Sequence, residues 1–397
     1  MMKKFLPIIL ITAIAIGIWG WLHFRPNTYL SSQTSVSNPS IIYADAQYDP
    51  TAQYDQLAKV DFYSVSPDGT GKKELFSIGA DKLAVKDVND FNFGQEKFCS
   101  ATNEIYLQSL ELPLSLSPIF SIKRIDLGGT ITDMPFTQTP VPFAGLSPLN
   151  TGFALSPDCK KIIWATAYFP MVGQQPLVPF YEIYTADIDG KNKTTLATVQ
   201  ETPGNTIKKI YAWSKKYPSM VYMTDYAWDK NGGGGGLYKL DATRGKIQQI
   251  NQVPADALVY DISDDENKIA YAPNFITTKG GDTSVRNLID SSVVTFSNDS
   301  NGKRLFSPLG DKLANVLPVC SGLGAESECI PHLFVYIGKQ NKEIAETLDP
   351  LIWLSESSIL AVENGTTSTI VAINDKSGEI KNIATTNDNL IFIGIKK

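Results

Sequence analysis

The chain has 397 residues, 43% hydrophobic and 19% charged, with 35 basic against 41 acidic residues and a formal charge of −6. That apolar fraction is ample for a buried core and excludes wholesale disorder, and the acidic balance lacks the positive excess that binds nucleic-acid backbones. Two histidines, His23 and His332, leave almost no material for a His-rich metal centre or a Ser/His/Asp relay, so no metal, no cofactor and no catalytic residue is expected.

Residues 5–24, FLPIILITAIAIGIWGWLHF, contain no Lys, Arg, Asp or Glu. At ~1.5 Å per residue such a helix crosses a hydrocarbon core of ~30 Å. Lys3 and Lys4 precede the run and Arg25 follows it, which favours a cytoplasmic N-terminus and an exported remainder. Residues 1–25 are therefore expected to be a single-pass membrane anchor, with a cleaved signal peptide as the rival reading. Against the rival, bulky Trp19, Trp21 and Leu22 stand where a cleavage site needs small residues. Residues 26–40, rich in Ser, Thr, Asn and Pro, read as a solvated linker.

From residue 41 onward short β-branched and aromatic runs alternate with Gly, Asp, Asn and Pro clusters, and no convincing helical stretch occurs. FYSVSPDGTGKKELFS from Phe62 aligns with IYTADIDGKNKTTLAT from Ile183. Asp68-Gly69 and Asp189-Gly190 supply the positive φ of a tight hairpin. Weaker copies start at Ile119, Gly236, His332 and Ser368, and residues 285–297 match least well. A second hairpin with a polar turn precedes each copy, its turn serine at Ser100, Ser156, Ser214, Ser263, Ser307 and Ser355. Two hairpins per unit at a spacing of roughly 44–58 residues is the signature of a four-stranded propeller blade. The fold class is all-β: a seven-bladed β-propeller over residues 41–397, with six or eight blades as alternatives. The first copy lacks an innermost strand, and NLIFIGIKK at 389–397 is expected to supply it and close the ring.

SPDCKKIIW at 156–164 followed by IYTADIDGKNKTTL at 183–196 resembles the WD40-like propeller repeats of TolB-type periplasmic proteins. The resemblance implies a propeller outside the cytoplasm. TolB-type proteins carry an α/β domain ahead of six blades and act with a peptidoglycan-associated lipoprotein; this chain shows an anchor, a linker and seven repeat units, so that partner is not carried over. Similar propellers precede the catalytic domain of prolyl-oligopeptidase-like peptidases, but no G-x-S-x-G elbow occurs in this sequence.

Function is expected on the connections opposite the tight turns, at residues 46–59, 108–117, 169–180, 227–236, 273–285 and 319–331. Tyr48, Tyr54, Phe169, Trp228, Asp229 and Phe275 are the candidate binding residues there, since aromatic groups give large contact area at low entropic cost. The five glycines after Asn231 lack the Lys and Ser/Thr of a phosphate cradle and read as a hairpin connection. Asp187, Asp189 and Asn192 likewise read as turn residues rather than calcium ligands. Export would let the four cysteines pair. Cys320 with Cys329 would clamp one loop, whereas Cys99 and Cys159, at equivalent turns of adjacent blades, are either a second bridge or two small buried residues. His332 reads as a structural polar residue. Asp225, Asp229, Asp256 and Asp282 have no spacing that marks a catalytic couple. The expected role is a non-catalytic binding or scaffolding module for an envelope protein or a surface glycan; the alternative is a propeller lyase or glycosidase with carboxylates at its central channel.

Overall fold

The computed structural model describes residues 39–49, 57–83, 98–111, 119–138, 146–170, 180–200, 207–225, 235–255, 257–272, 282–296, 303–321, 328–338, 340–364, 367–386 and 389–396. Among them, strands assemble into seven four-stranded antiparallel sheets. Blade 1 comprises β1 (Ser40–Tyr48), β2 (Leu57–Val65) and β3 (Lys73–Gly79), with β28 (Asn389–Lys396) beside β1. Blade 2 is β4 (Phe98–Cys99), β5 (Glu104–Glu111), β6 (Ile119–Asp126) and β7 (Ile131–Met134). Blade 3 is β8 (Leu146–Leu155), β9 (Lys161–Pro170), β10 (Phe180–Asp187) and β11 (Thr194–Gln200). Blade 4 follows with β12 (Lys208–Trp213), β13 (Met220–Asp225), β14 (Leu237–Asp241) and β15 (Ile247–Gln249), and blade 5 with β16 (Leu258–Ile262), β17 (Lys268–Ala272), β18 (Thr283–Asn287) and β19 (Val293–Phe296). Blade 6 holds β20 (Arg304–Phe306), β21 (Lys312–Ser321), β22 (Glu328–Ile337) and β23 (Gln340–Glu346). Blade 7 holds β24 (Leu348–Ser355), β25 (Ser358–Asn364), β26 (Ser368–Asn374) and β27 (Ile380–Thr386).

The expected closure is present. β28 pairs antiparallel with β1, Ile41 opposite Ile395 and Asp45 opposite Leu390, so the first blade is made of one C-terminal and three N-terminal strands. An inner strand edge that would otherwise template aggregation is thereby paired. Each blade buries both faces against its neighbours, which explains continuous apolar runs such as IIYADA, buried throughout Ile41–Ala46. Seven apolar clusters result, each shared by two adjacent blades. One joins blades 3 and 4 through Ile183, Tyr181, Ile210 and Val221, and another joins blades 7 and 1 through Ile370, Leu360, Tyr43 and Ile41.

Two sequence devices recur. In the hairpin between the first and second strands, the turn serine accepts an amide from the returning strand: Lys161 N to Ser156 Oγ at 2.9 Å, Lys268 N to Ser263 Oγ at 2.9 Å. Three residues after the serine the backbone turns left-handed, at Asn103, Cys159, Glu266 and Gly310. In the hairpin between the third and fourth strands, the repeated aliphatic residue is an extra one. Leu75, Leu196, Ile344 and Ile383 each stand between two paired residues of the outer strand, forming a β-bulge. The bulge packs each of these side chains toward the core between blades.

The described residues contain no helix long and apolar enough to cross a membrane; residues 5–24 lie outside them. Helix among the described residues is limited to single turns such as Ala80–Leu83.

Candidate functional site at the variable end of the ring

The two ends of the ring are built differently. At one end lie the hairpins between strands one and two and between strands three and four, short and fastened to their neighbours. Cys99 of blade 2 is bonded to Cys159 of blade 3, with their Cα atoms 6.4 Å apart. Glu266 of blade 5 accepts the Ser214 hydroxyl of blade 4 at 2.7 Å, the Lys216 amide at 3.0 Å and the Tyr222 hydroxyl at 2.9 Å. Lys268 Nζ donates to the Gly310 carbonyl of blade 6 at 2.6 Å, and Lys312 Nζ reaches Asp375 of blade 7 at 2.8 Å. The opposite end carries connections of very unequal length, from residue 347 alone to residues 226–236, 273–282 and 80–97.

Several of these connections are shorter than the sequence suggests. Strands β5, β9 and β21 continue as far as Glu111, Pro170 and Ser321, and β22 already starts at Glu328. The prolines that read as breakers are accommodated in pairing: Pro318 stands opposite Pro331. Phe169 is consequently a strand residue opposite Ser147 rather than a loop residue. Tyr48 ends β1 beside a bulge and packs, half-buried, against the core shared by blades 1 and 2. Tyr54, Trp228, Asp229, Asp256 and Phe275 lie outside the described residues. Cys320 is the direct cross-strand partner of Cys329; their side chains lie outside the description. The Asp187 group is a hairpin turn, as expected, with Asn192 donating to Asp187 and left-handed at φ 54°. The glycine run ends at Gly235 and Gly236, whose amides bond the Ala255 and Ala257 carbonyls before β14 begins.

A buried polar group lies where strands of blade 4 meet the variable end. Lys208 opens β12 and Asp225 closes β13, so the register sets them face to face. They form an ion pair with both side chains under 5% exposed. Tyr238 completes the group: its ring lies under Lys208 Nζ at 4.1 Å and its hydroxyl donates to Asp225 Oδ2 at 3.1 Å. Lys208 and Tyr238 line a cleft of about 440 Å³ between blades 3 and 4, with Tyr181, Val199, Ile247 and Gln249 on its walls. The Tyr181 hydroxyl is buried there without a hydrogen-bond partner among the described residues. Burial, then the nearby Asp225 charge, holds the Tyr181 and Tyr238 phenols far above their ordinary titration range, so both stay neutral hydrogen-bonding groups. With lysine and carboxylate satisfying one another, the cleft offers tyrosine rings and walls that mix polar groups such as Thr198 and Gln249 with apolar ones, a recognition surface more than an acid/base pair. Sequence reasoning named Asp225 but missed Lys208, because residues 17 apart become partners only through the hairpin between them.

A second buried group joins blades 5 and 6. Arg304, 1% exposed, stacks on Tyr260 at 3.8 Å and donates from Nε to Thr283 at 2.8 Å. Asp261 accepts the amides of Phe306 at 2.7 Å and Ile262 at 2.8 Å. Burial pushes its carboxyl up to about 7 despite those two bonds.

No protein-family model matches the chain, and no curated protein matches it. Solved structures do. The periplasmic gluconolactonase of Pseudomonas aeruginosa is 12% identical with a TM-score of 0.51, covering 90% of this chain and 99% of that one. The acylaminoacyl peptidase of Pyrococcus horikoshii is 8% identical with a TM-score of 0.52, and this chain spans 50% of its length. TolB from Acinetobacter baumannii is 16% identical with a TM-score of 0.42, over 77% of this chain and 64% of that one. TolB proteins thus stand among the structural neighbours, together with enzymes, and at these identities the likeness is one of fold.

Proposed function

We propose that the chain is a membrane-anchored propeller outside the cytoplasm that serves as a non-catalytic binding or scaffolding module, engaging an envelope protein or a surface glycan at the variable end of the ring. The observation that carries this reading is the asymmetry of the two ends: one closed by short, mutually fastened turns, the other given the connections that differ most in length from blade to blade. Rigid scaffolds place their binding loops in this way. The Cys99–Cys159 bridge supports export, because such bonds persist in oxidising compartments. Residues 5–24 supply the anchor.

Photo-crosslinking in the native envelope tests the reading. A crosslinking side chain placed at 228 or 275 is expected to trap one discrete partner, and the same group at Asp158 or Asp264, on the fastened end, is expected to trap none. Equal trapping from both ends, or from neither, rejects the assignment.

A further inference from the structure

The outer hairpin of blade 6 brings together three side chains that the sequence alternation would keep apart. Glu343 and Glu346 are three residues apart on β23, and in a regular strand they would point to opposite faces. The bulge at Ile344 reverses that. Glu346 is the direct partner of His332, while Glu343 is the partner of Phe334, two residues further along β22 and on the same face as His332. Imidazole and both carboxylates therefore share one face. His332 Nδ1 lies 2.8 Å from Glu343 Oε1, and one ligating atom from each of the three residues falls within 4.8 Å of the other two.

The same positions in other bulged hairpins carry different chemistry. Blade 1 has Asp61, Glu74 and Ser77 there, blade 3 has Glu182, Thr195 and Thr198, and blade 7 has Thr369, Asn382 and Thr385. The imidazole-plus-two-carboxylate set is thus particular to blade 6 among these. Among the described residues no lysine or arginine pairs with either glutamate. The Glu346 carboxylate has no ion-pair or hydrogen-bond partner among the described residues, and Glu343 is paired with His332. His332 is 8% exposed and held in place by its strand and by Phe334, whose ring stacks at 6.5 Å; both glutamates are exposed. One ligand is fixed and two are free to adjust their rotamers. Around a zinc-sized ion at ~2.1 Å, ligand atoms sit roughly 3.4 Å apart, so closure asks only for small movements of exposed side chains.

We propose that His332, Glu343 and Glu346 form a binding site for a divalent transition-metal ion of the zinc class. One nitrogen and two carboxylate donors suit such a borderline cation, whereas calcium and magnesium favour all-oxygen shells. Three protein ligands leave at least one position for water or for an anionic group of a bound molecule. The site departs from the sequence expectation of no metal, which rested on the scarcity of histidine and could not register the bulge.

Zinc titration of the full-length chain, purified in detergent without a polyhistidine tag and stripped with chelator, tests the proposal. One equivalent of Zn²⁺ is expected to bind, followed by calorimetry and, with Co²⁺ as probe, by visible absorption. Removing a ligand should weaken binding by more than the ~10–100-fold that loss of an outer-shell partner costs. Glu343→Gln and Glu346→Gln decide the matter because both side chains are exposed and should leave folding intact; His332→Ala is the third arm. Asp189→Asn, on another blade, should bind as the parent does. No zinc uptake by the parent chain, or uptake unchanged in both glutamate variants, would overturn the site.

Discussion

Two carboxylates show how single residues tie blades together. Glu266 holds a left-handed conformation at φ 57° while accepting three donors from blade 4. Replacing it with Ala leaves two buried hydroxyls and an amide without this acceptor, a loss of about 3 kcal/mol by the cost of orphaned polar groups; denaturant unfolding of Glu266→Ala checks this. Asp261 acts through protonation. Its folded carboxyl titrates at about 7 against an ordinary value of 3.8, so the folded state takes up the proton more readily than the unfolded one. This contribution is fully present below about pH 4 and is lost as pH rises toward about 7, with an amplitude of at most about 4 kcal/mol. Asp158 and Asp68, whose carboxyls are lowered mainly by bonds from Ser156 and Thr70, slope the other way. The difference between parent and Asp261→Asn melting curves isolates the effect: the parent should lose stability relative to the variant between pH 4 and 7, and parallel curves would refute it.

At the level of strands and hairpins, the closing strand carries a direct test. Gly394 lies where an added Cβ would come within 2.6 Å of Phe98 Cβ, so β28 abuts the first strand of blade 2 through a position with no room for a side chain. Gly394→Val should cost about 1–3 kcal/mol through overpacking. Deleting 389–397 removes buried Ile391 and Ile393 as well as the ladder to β1, and should lower the melting temperature far more. Unchanged melting of either variant would contradict the role of this strand. The closure was legible in the sequence because hairpin repeats leave a countable remainder. The Asp-Gly turns and turn serines were legible for the same reason: their chemistry is local. The bulged aliphatic positions appeared as a repeated Leu or Ile, yet their effect on which side chains share a face was invisible, since alternation is assumed until pairing is known. The Lys208–Asp225 pair and the His332 cluster both depend on such pairing. The connections were overestimated in length because a proline within an apolar run signals a break whether or not the strand resumes.

For the ring as a whole, the disulfide is the strongest single fastening on the closed end. Cys99 and Cys159 are 60 residues apart in sequence, and cross-linking a loop of that size stabilises by about 4 kcal/mol through the entropy of the unfolded chain. The paired Cys99→Ser and Cys159→Ser substitution should lower the melting temperature, which thermal unfolding under non-reducing conditions checks. A residual shift on reducing that variant would point to the bond expected between Cys320 and Cys329, which face each other across β21 and β22.

The pairing of β28 with β1 also sets an order of events. Strand β1 is made before the strands of the other six blades and its partner β28 after them, so the first blade must wait until those blades have been synthesised before its inner edge is covered. Contacts of such long sequence separation form slowly, because the loop they close must be ordered before they repay it. During that interval the apolar edge of Ile41–Ala46 stands open, and a chain in that state is the one that chaperones would meet. The seam that makes the finished ring durable is therefore the step at which its assembly is most exposed.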